Sequence, residues 1–202
     1  MLRSSLQAAG EASTAAPGQP MRTRTSLQES QRSALDERLW SSCDCETGAP
    51  DDDARLELVR GLLASGALPA AHRDQFGGTA LHRAAIAGLA KVTAELTLAE
   101  PSAAHAVDEV AGNTPLHYAC SHGHLAVVRT LLARGASVHA VNRKQFTPLH
   151  LAALDGRVAC AKAVLDAGCD PNLRGGGFMT ALGLAKRYKR NNWEQVIELL
   201  SK

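Results

Sequence analysis

The sequence predicts an all-α repeat solenoid built from stacked helix-turn-helix units. Three observations carry that reading. A Thr-x-Leu-His element stands at Thr79, Thr114 and Thr147, and returns at Thr180 as Thr-Ala-Leu-Gly. The offsets between copies are 35, 33 and 33 residues, and a fixed period of this size marks stacked supersecondary units. After each Thr comes Leu at +2 and Ala at +5, with Gly at +9 in the three inner copies (Gly88, Gly123 and Gly156).

The copy from Thr114 to Leu132 shows why the unit folds as two helices. Thr114 suits an N-cap, and Pro115 suits the first helical position, where a missing N–H costs nothing. Leu116, Ala119 and Cys120 form one apolar stripe, and Gly123 ends the helix in a left-handed conformation. Leu125, Val128, Leu131 and Leu132 form the stripe of a second helix that Gly135 stops. Helices this short are unstable alone, so each pair must bury its stripes against the next. Only 3% of residues are aromatic, so Leu, Ala and Val must build the core.

This pattern resembles the ankyrin repeat, a β-turn followed by two antiparallel helices. The third copy is similar almost throughout, including Gly123-His124 and Arg134-Gly135-Ala136. The resemblance spans residues 53 to 200 when the weaker end copies are counted. It implies ankyrin-type units with β-hairpin tips. It also implies that the motif His bonds the motif Thr and reaches toward backbone of the neighbouring repeat.

In chain order, residues 1–30 lack a hydrophobic period and are expected to be a disordered tail. The opening MLRSSLQAAG is similar to a mitochondrial transit peptide, but the segment is otherwise neither strongly basic nor amphipathic. Residues 31–202 form the repeat domain, divided as a degenerate first repeat 33–73, repeats 74–108, 109–141 and 142–174, and a terminal repeat 175–202. The first repeat begins with a short helix from Ser33 to Ser42, with Ser33 and Asp36 at capping-box spacing. A polar insertion follows, then a helix led by Asp51, Asp52 and Asp53, whose carboxylates suit its dipole. Terminal repeats are atypical because one face has no neighbour.

The repeat from Thr79 reads as looser. Glu95 is placed opposite Leu131 of the next copy, Glu100-Pro101 replaces the small turn, and two residues are inserted before Thr114. The last copy has Gly183 where the others have His, and Lys186 where they have Ala or Cys. A buried lysine is untenable mid-stack, so the stack ends there. Asn192 and Gln195 are expected to cap the final helix.

The remaining features bound the function. A net charge of +2 argues for neither nucleic acid nor an anionic membrane as partner. No apolar run is of membrane-spanning length. The five cysteines are odd in number and mostly lie in helical stripes, which fits a reducing compartment, cytoplasmic or nuclear, with mitochondrial import as the alternative. Cys43 and Cys45 lack the further pair a zinc site needs and are expected as exposed, fast-reacting thiols, with Cys169 intermediate. Ser121-His122 has no orienting acid in the pattern, and Gly175 to Gly177 lacks the Gly-Lys-Ser/Thr of a phosphate loop. No catalytic residue, metal or cofactor is expected. The cluster KRYKR, Lys186 to Arg190, reads as the solvated face of a terminal helix, with a nuclear address or phosphate contact as the alternative.

The expected function is a monomeric, non-enzymatic interaction module whose protein partner binds a concave face. The alternative is a nuclear factor whose basic C-terminal helix touches nucleic acid. Carried over from the resemblance, the exposed variable positions are Gln75, Phe76, Gly78, Ile86 and Ala87 in the second repeat. In the third they are Val110, Ala111, Asn113, Ser121 and His122. In the fourth they are Arg143, Lys144, Phe146, Leu154 and Asp155. In the last they are Met179, Arg187 and Tyr188. Phe146, beside two cations, is the expected central anchor.

Overall fold

The computed structural model describes residues 24–43 and 52–201. Helices α1 (Arg24–Ser42) and α2 (Asp52–Ala64) start the stack. Four pairs follow: α3 (Ala80–Ala87) with α4 (Ala90–Ala99), α5 (Pro115–His122) with α6 (Leu125–Ala133), α7 (Pro148–Leu154) with α8 (Val158–Asp166), and α9 (Ala181–Tyr188) with α10 (Trp193–Leu200). An inner row packs α3 on α5, α5 on α7 and α7 on α9. An outer row packs α2 on α4, α4 on α6, α6 on α8 and α8 on α10. The core lies between the rows and repeats from pair to pair. Leu81, Leu116 and Leu149 are at most 1% exposed, and Leu96 and Leu131 are fully buried behind them. No described helix is long and apolar enough to cross a membrane.

The threonine–histidine element holds the inner row together. In each inner copy the Thr backbone N–H donates to the His Nδ1, at 3.1 Å for Thr79–His82, 3.1 Å for Thr114–His117 and 3.2 Å for Thr147–His150. An Nδ1 that accepts leaves the proton on Nε2. That N–H donates to a carbonyl of the next repeat, Asn113 at 3.0 Å, Phe146 at 2.9 Å and, for His150, Met179, with Leu173 of its own repeat as a second acceptor. The last described copy differs. There Thr180 Oγ1 simply accepts from Gly183 N–H, and Lys186 points to solvent.

Several expectations change. Helix α1 begins at Arg24, inside the stretch read as tail; residues 1–23 lie outside the described part. Ser33 is therefore mid-helix. Asp36 instead accepts from Leu68 N–H at 2.6 Å, tying α1 to the loop after α2. Leu96, not Glu95, takes the place of Leu131, and Glu95 accepts from Arg60 of α2 at 2.6 Å. The inserted residues of this repeat form a 3₁₀ turn, Pro101–His105, that buries Ala103 and Ala104. Asn192 holds the N-cap position of α10 without a side-chain bond, and Gln195 is exposed.

The cysteines also differ from expectation. Cys43 is fully buried and Cys169 nearly so, alongside Cys120 and Cys160; Cys45 lies outside the described residues. Burial pushes the Cys120, Cys160 and Cys169 thiols up. All four buried thiols are expected to resist a thiol-disulfide reagent until the protein is unfolded in urea, because exposure and thiolate fraction set the rate. Rapid labelling of Cys43 in the native protein, read by peptide mapping, would contradict its burial.

Candidate functional site

The tips that project beyond the inner helices contain no strand among the described residues. They are turns closed by backbone bonds, Asp74 N–H to Gly78 O, Asp108 N–H to Asn113 O and Asn142 N–H to Phe146 O, and these three are organised by the Asx side chain. Asp74 accepts from Phe76 and Gly78 N–H, and Asn142 accepts from Lys144 and Phe146 N–H. Asp108 accepts from Val110, Ala111 and Asn113 N–H and from the Tyr118 hydroxyl. Burial raises the Asp108 carboxyl, but these donors together outweigh it and hold the group below the usual carboxylate range. The tips are stitched in series. Glu109 N–H donates to Phe76 O, Arg143 N–H to Ala111 O and Gly176 N–H to Lys144 O, at 2.8–2.9 Å.

This series brings part of the expected site together. Phe76, Ile86 and Val110 line one cleft of about 260 Å³ with Tyr118, Arg83, Asp74 and Asp108. Phe76 is 50% and Val110 60% exposed, so the cleft opens on apolar walls. Its floor is held by Arg83, whose guanidinium lies 4.6 Å from the Trp40 ring centroid of α1 and 3.3 Å from the Asp74 carboxylate. Gln75 is exposed beside it. Burial raises the Tyr118 hydroxyl against the opposing Asn113 side chain, with the Asp108 charge adding to the rise, so the group stays protonated at neutral pH.

Other expected residues serve the stack itself. Asn113 is only 8% exposed, and its Oδ1 accepts from Asn142 Nδ2 at 2.9 Å, so it is not a surface position. Phe146 is half-buried. Its ring stacks on His150 at 5.7 Å and lies against Gly175, where a Cβ would come within 2.5 Å of Phe146 Cδ1. A Cβ on Gly176 would meet the Lys144 carbonyl at 2.3 Å, so these glycines allow the close approach of two tips. Ser121 donates to Asp155, which also pairs with Arg190 at 2.9 Å. Asn191 donates to the Asp155 carbonyl, fastening the α9–α10 connection to α7. Leu154 is partly buried. His122 is exposed, stacks on His124, and its Nδ1 donates to Tyr118 O. Met179 is partly buried, and its carbonyl accepts from Gly175 N–H and from His150.

The far end of the same face is basic. Arg143, Lys144, Arg174 and Arg187 are exposed. No ion pair engages any of the four among the described residues. Arg187 lies 5.9 Å from the half-exposed Tyr188 ring centroid. Sequence reading missed Phe178, which is 83% exposed with φ +59°. Left-handed backbone at an aromatic residue is strained and calls for a cause. Its signal was present: an aromatic directly after three glycines in a tip has no preceding side chain to shelter it. Tyr118, Asp74 and Arg83 were missed too, because they lie on the inner helix and tip base rather than at the variable positions.

Comparison with known proteins agrees with this geometry. The chain is 33% identical over 119 residues to Rabankyrin-5 of Mus musculus, a match that covers 50% of this chain and 10% of that protein. A family model described as ankyrin repeats, in three copies, matches residues 51–142 and 93–175. Those residues carry the threonine–histidine ladder and the stitched tips, and the chain belongs to the ankyrin-repeat family.

Proposed function

We propose that this chain is a non-enzymatic adaptor or scaffold module that binds a protein partner on its concave face, as a monomer, in the cytoplasm or nucleus. Ankyrin repeats are generally protein–protein interaction modules. The observation that carries the reading is the cleft between the Phe76 and Val110 tips. It gathers three apolar side chains from two tips and an inner helix, positions that a stack has no packing reason to leave open. Exposed aromatic and aliphatic side chains beside arginine are the usual chemistry of a binding centre. The buried thiols support a reducing compartment.

The alternative places nucleic acid on the basic C-terminal segment. Within that cluster Arg190 is paired with Asp155 and Lys189 lies over the Trp193 ring, which leaves fewer cations for phosphate. Binding by that route would weaken steeply with salt.

The test is site-specific photo-crosslinking in cells. A photoreactive residue at position 76 or 110 is expected to give a discrete covalent adduct with a partner. The same residue at Leu98, 61% exposed on the outer row, should give none. Adducts from position 98 alone would move the site to the outer helices.

A further inference from the structure

The concave face is electrically divided, and the division has a recognisable ligand. This inference rests on the concave-face reading above and adds the chemistry of the partner segment. At the cleft, the cation Arg83 is already paired with Asp74, and Asp108 and the exposed Glu109 add negative charge. Toward the C-terminal repeats the sign reverses. Lys144 and Arg174 project from successive tips, and Arg187 from α9, with no ion pair among the described residues. Asp155 is occupied by Arg190 and Ser121. Phe178, on the same tip as Arg174, is 83% exposed on a left-handed backbone.

A ligand lying along the face is therefore sorted by position. Carboxylates are repelled at the apolar cleft and attracted at the basic end, and apolar side chains are favoured at the cleft. Phosphate along the whole face is disfavoured, because the cleft is lined by Asp74 and Asp108. The spacing follows from the stack. Packed helices sit about 8–10 Å apart, so one to three repeats separate the cleft from Lys144, Arg174 and Arg187 by about 10–30 Å. An extended chain spans about 3.3–3.6 Å per residue, so that distance is about three to nine residues.

We propose that the concave face takes an extended acidic peptide segment of a partner. One apolar side chain sits in the cleft between Phe76 and Val110. Two or more carboxylates, about three to nine residues along, lie over Lys144, Arg174 and Arg187.

The experiment pans a random-peptide display library against the immobilised full chain, then measures a consensus peptide by fluorescence anisotropy. The expected consensus has one large apolar residue with acidic residues about three to nine positions away. Reversing charge at Lys144, Arg174 and Arg187 to Glu is expected to weaken that peptide at least about tenfold and to replace acidic with basic enrichment. Val110→Arg is expected to abolish the apolar preference. These positions are exposed, and circular dichroism is the check that each variant folds. Absence of any enriched peptide, a consensus without acids, or displacement of the peptide by random single-stranded DNA overturns the inference. A consensus without acids that still depends on Phe76 and Val110 leaves the concave-face reading standing. An acidic peptide that ignores every concave change and is lost on Leu98→Asp overturns the concave-face reading and this inference together.

Discussion

Leu149→Ala is expected to cost about 2–5 kcal/mol in urea denaturation, the range for truncating a buried leucine. Leu149 is 1% exposed in α7, which packs on α5, α8 and α9 at once. A buried leucine in a helix packed on three others leaves a cavity whose close-packed surroundings limit how far it can collapse. Leu116, fully buried in α5, should behave alike. Domains are stable by only about 5–15 kcal/mol, so this one substitution removes a large share. Lys186→Ala is the matched control. Lys186 is exposed on the terminal repeat, and a change there is expected to stay within about 0.5 kcal/mol. A neutral Leu149→Ala, or a severe Lys186→Ala, would show that the repeats are stacked in a different register.

Acid is expected to unfold the stack in a window set by its histidines. Burial outweighs the Phe146 carbonyl and lowers His117 from 6.5 to about 4. Burial lowers His82 and His150 as well, against the carbonyls that favour their charged forms. A folded-state pKa below the unfolded one means that the unfolded chain binds more protons as pH drops. The stabilisation is thus complete above pH 6.5 and is lost as pH falls from there toward about 4. For His117 the difference between 6.5 and about 4 is worth about 3 kcal/mol. His82 and His150 add to it in the same direction. The structural reason is the tautomer. Protonating Nδ1 sets a donor against the Thr N–H that now donates to it. Asp108 acts lower, since a depressed carboxyl keeps its contribution until pH falls below the ordinary carboxylate range. Urea titrations across pH 7.5 to 4 check this, with His117→Gln as the comparison. A flat wild-type profile over that window would contradict neutral buried histidines.

Much of the fold was legible because its signals are local. A cap, an apolar stripe and a glycine stop lie within one helix pair, and the repeat of the pattern implies stacking. Gly183 and Lys186 set the last described copy apart, since they lack what a packed neighbour requires. The start was less legible. Helix α1 runs from Arg24 although its first residues carry no apolar stripe, and Cys43 is buried although its sequence neighbours are acidic.

The site was legible only in outline. The register of the resemblance placed Phe76, Ile86 and Val110 on one surface, and they line one cleft. It could not tell which tip residues stay free, because that depends on what the adjacent repeat sets opposite them. Asn113 is engaged by Asn142 and Asp155 by Arg190. Phe146 is sheltered because two glycines let the last tip close on it, while Phe178, on that same tip, is left in solvent.

By itself, then, the sequence determined the repeat unit and its order, since those follow from short-range capping and from which faces must be buried. Tertiary structure alone decided the exposure of each tip side chain and the polarity of the face. Those depend on residues about one repeat apart in the chain, whose contacts exist only once neighbouring repeats are packed.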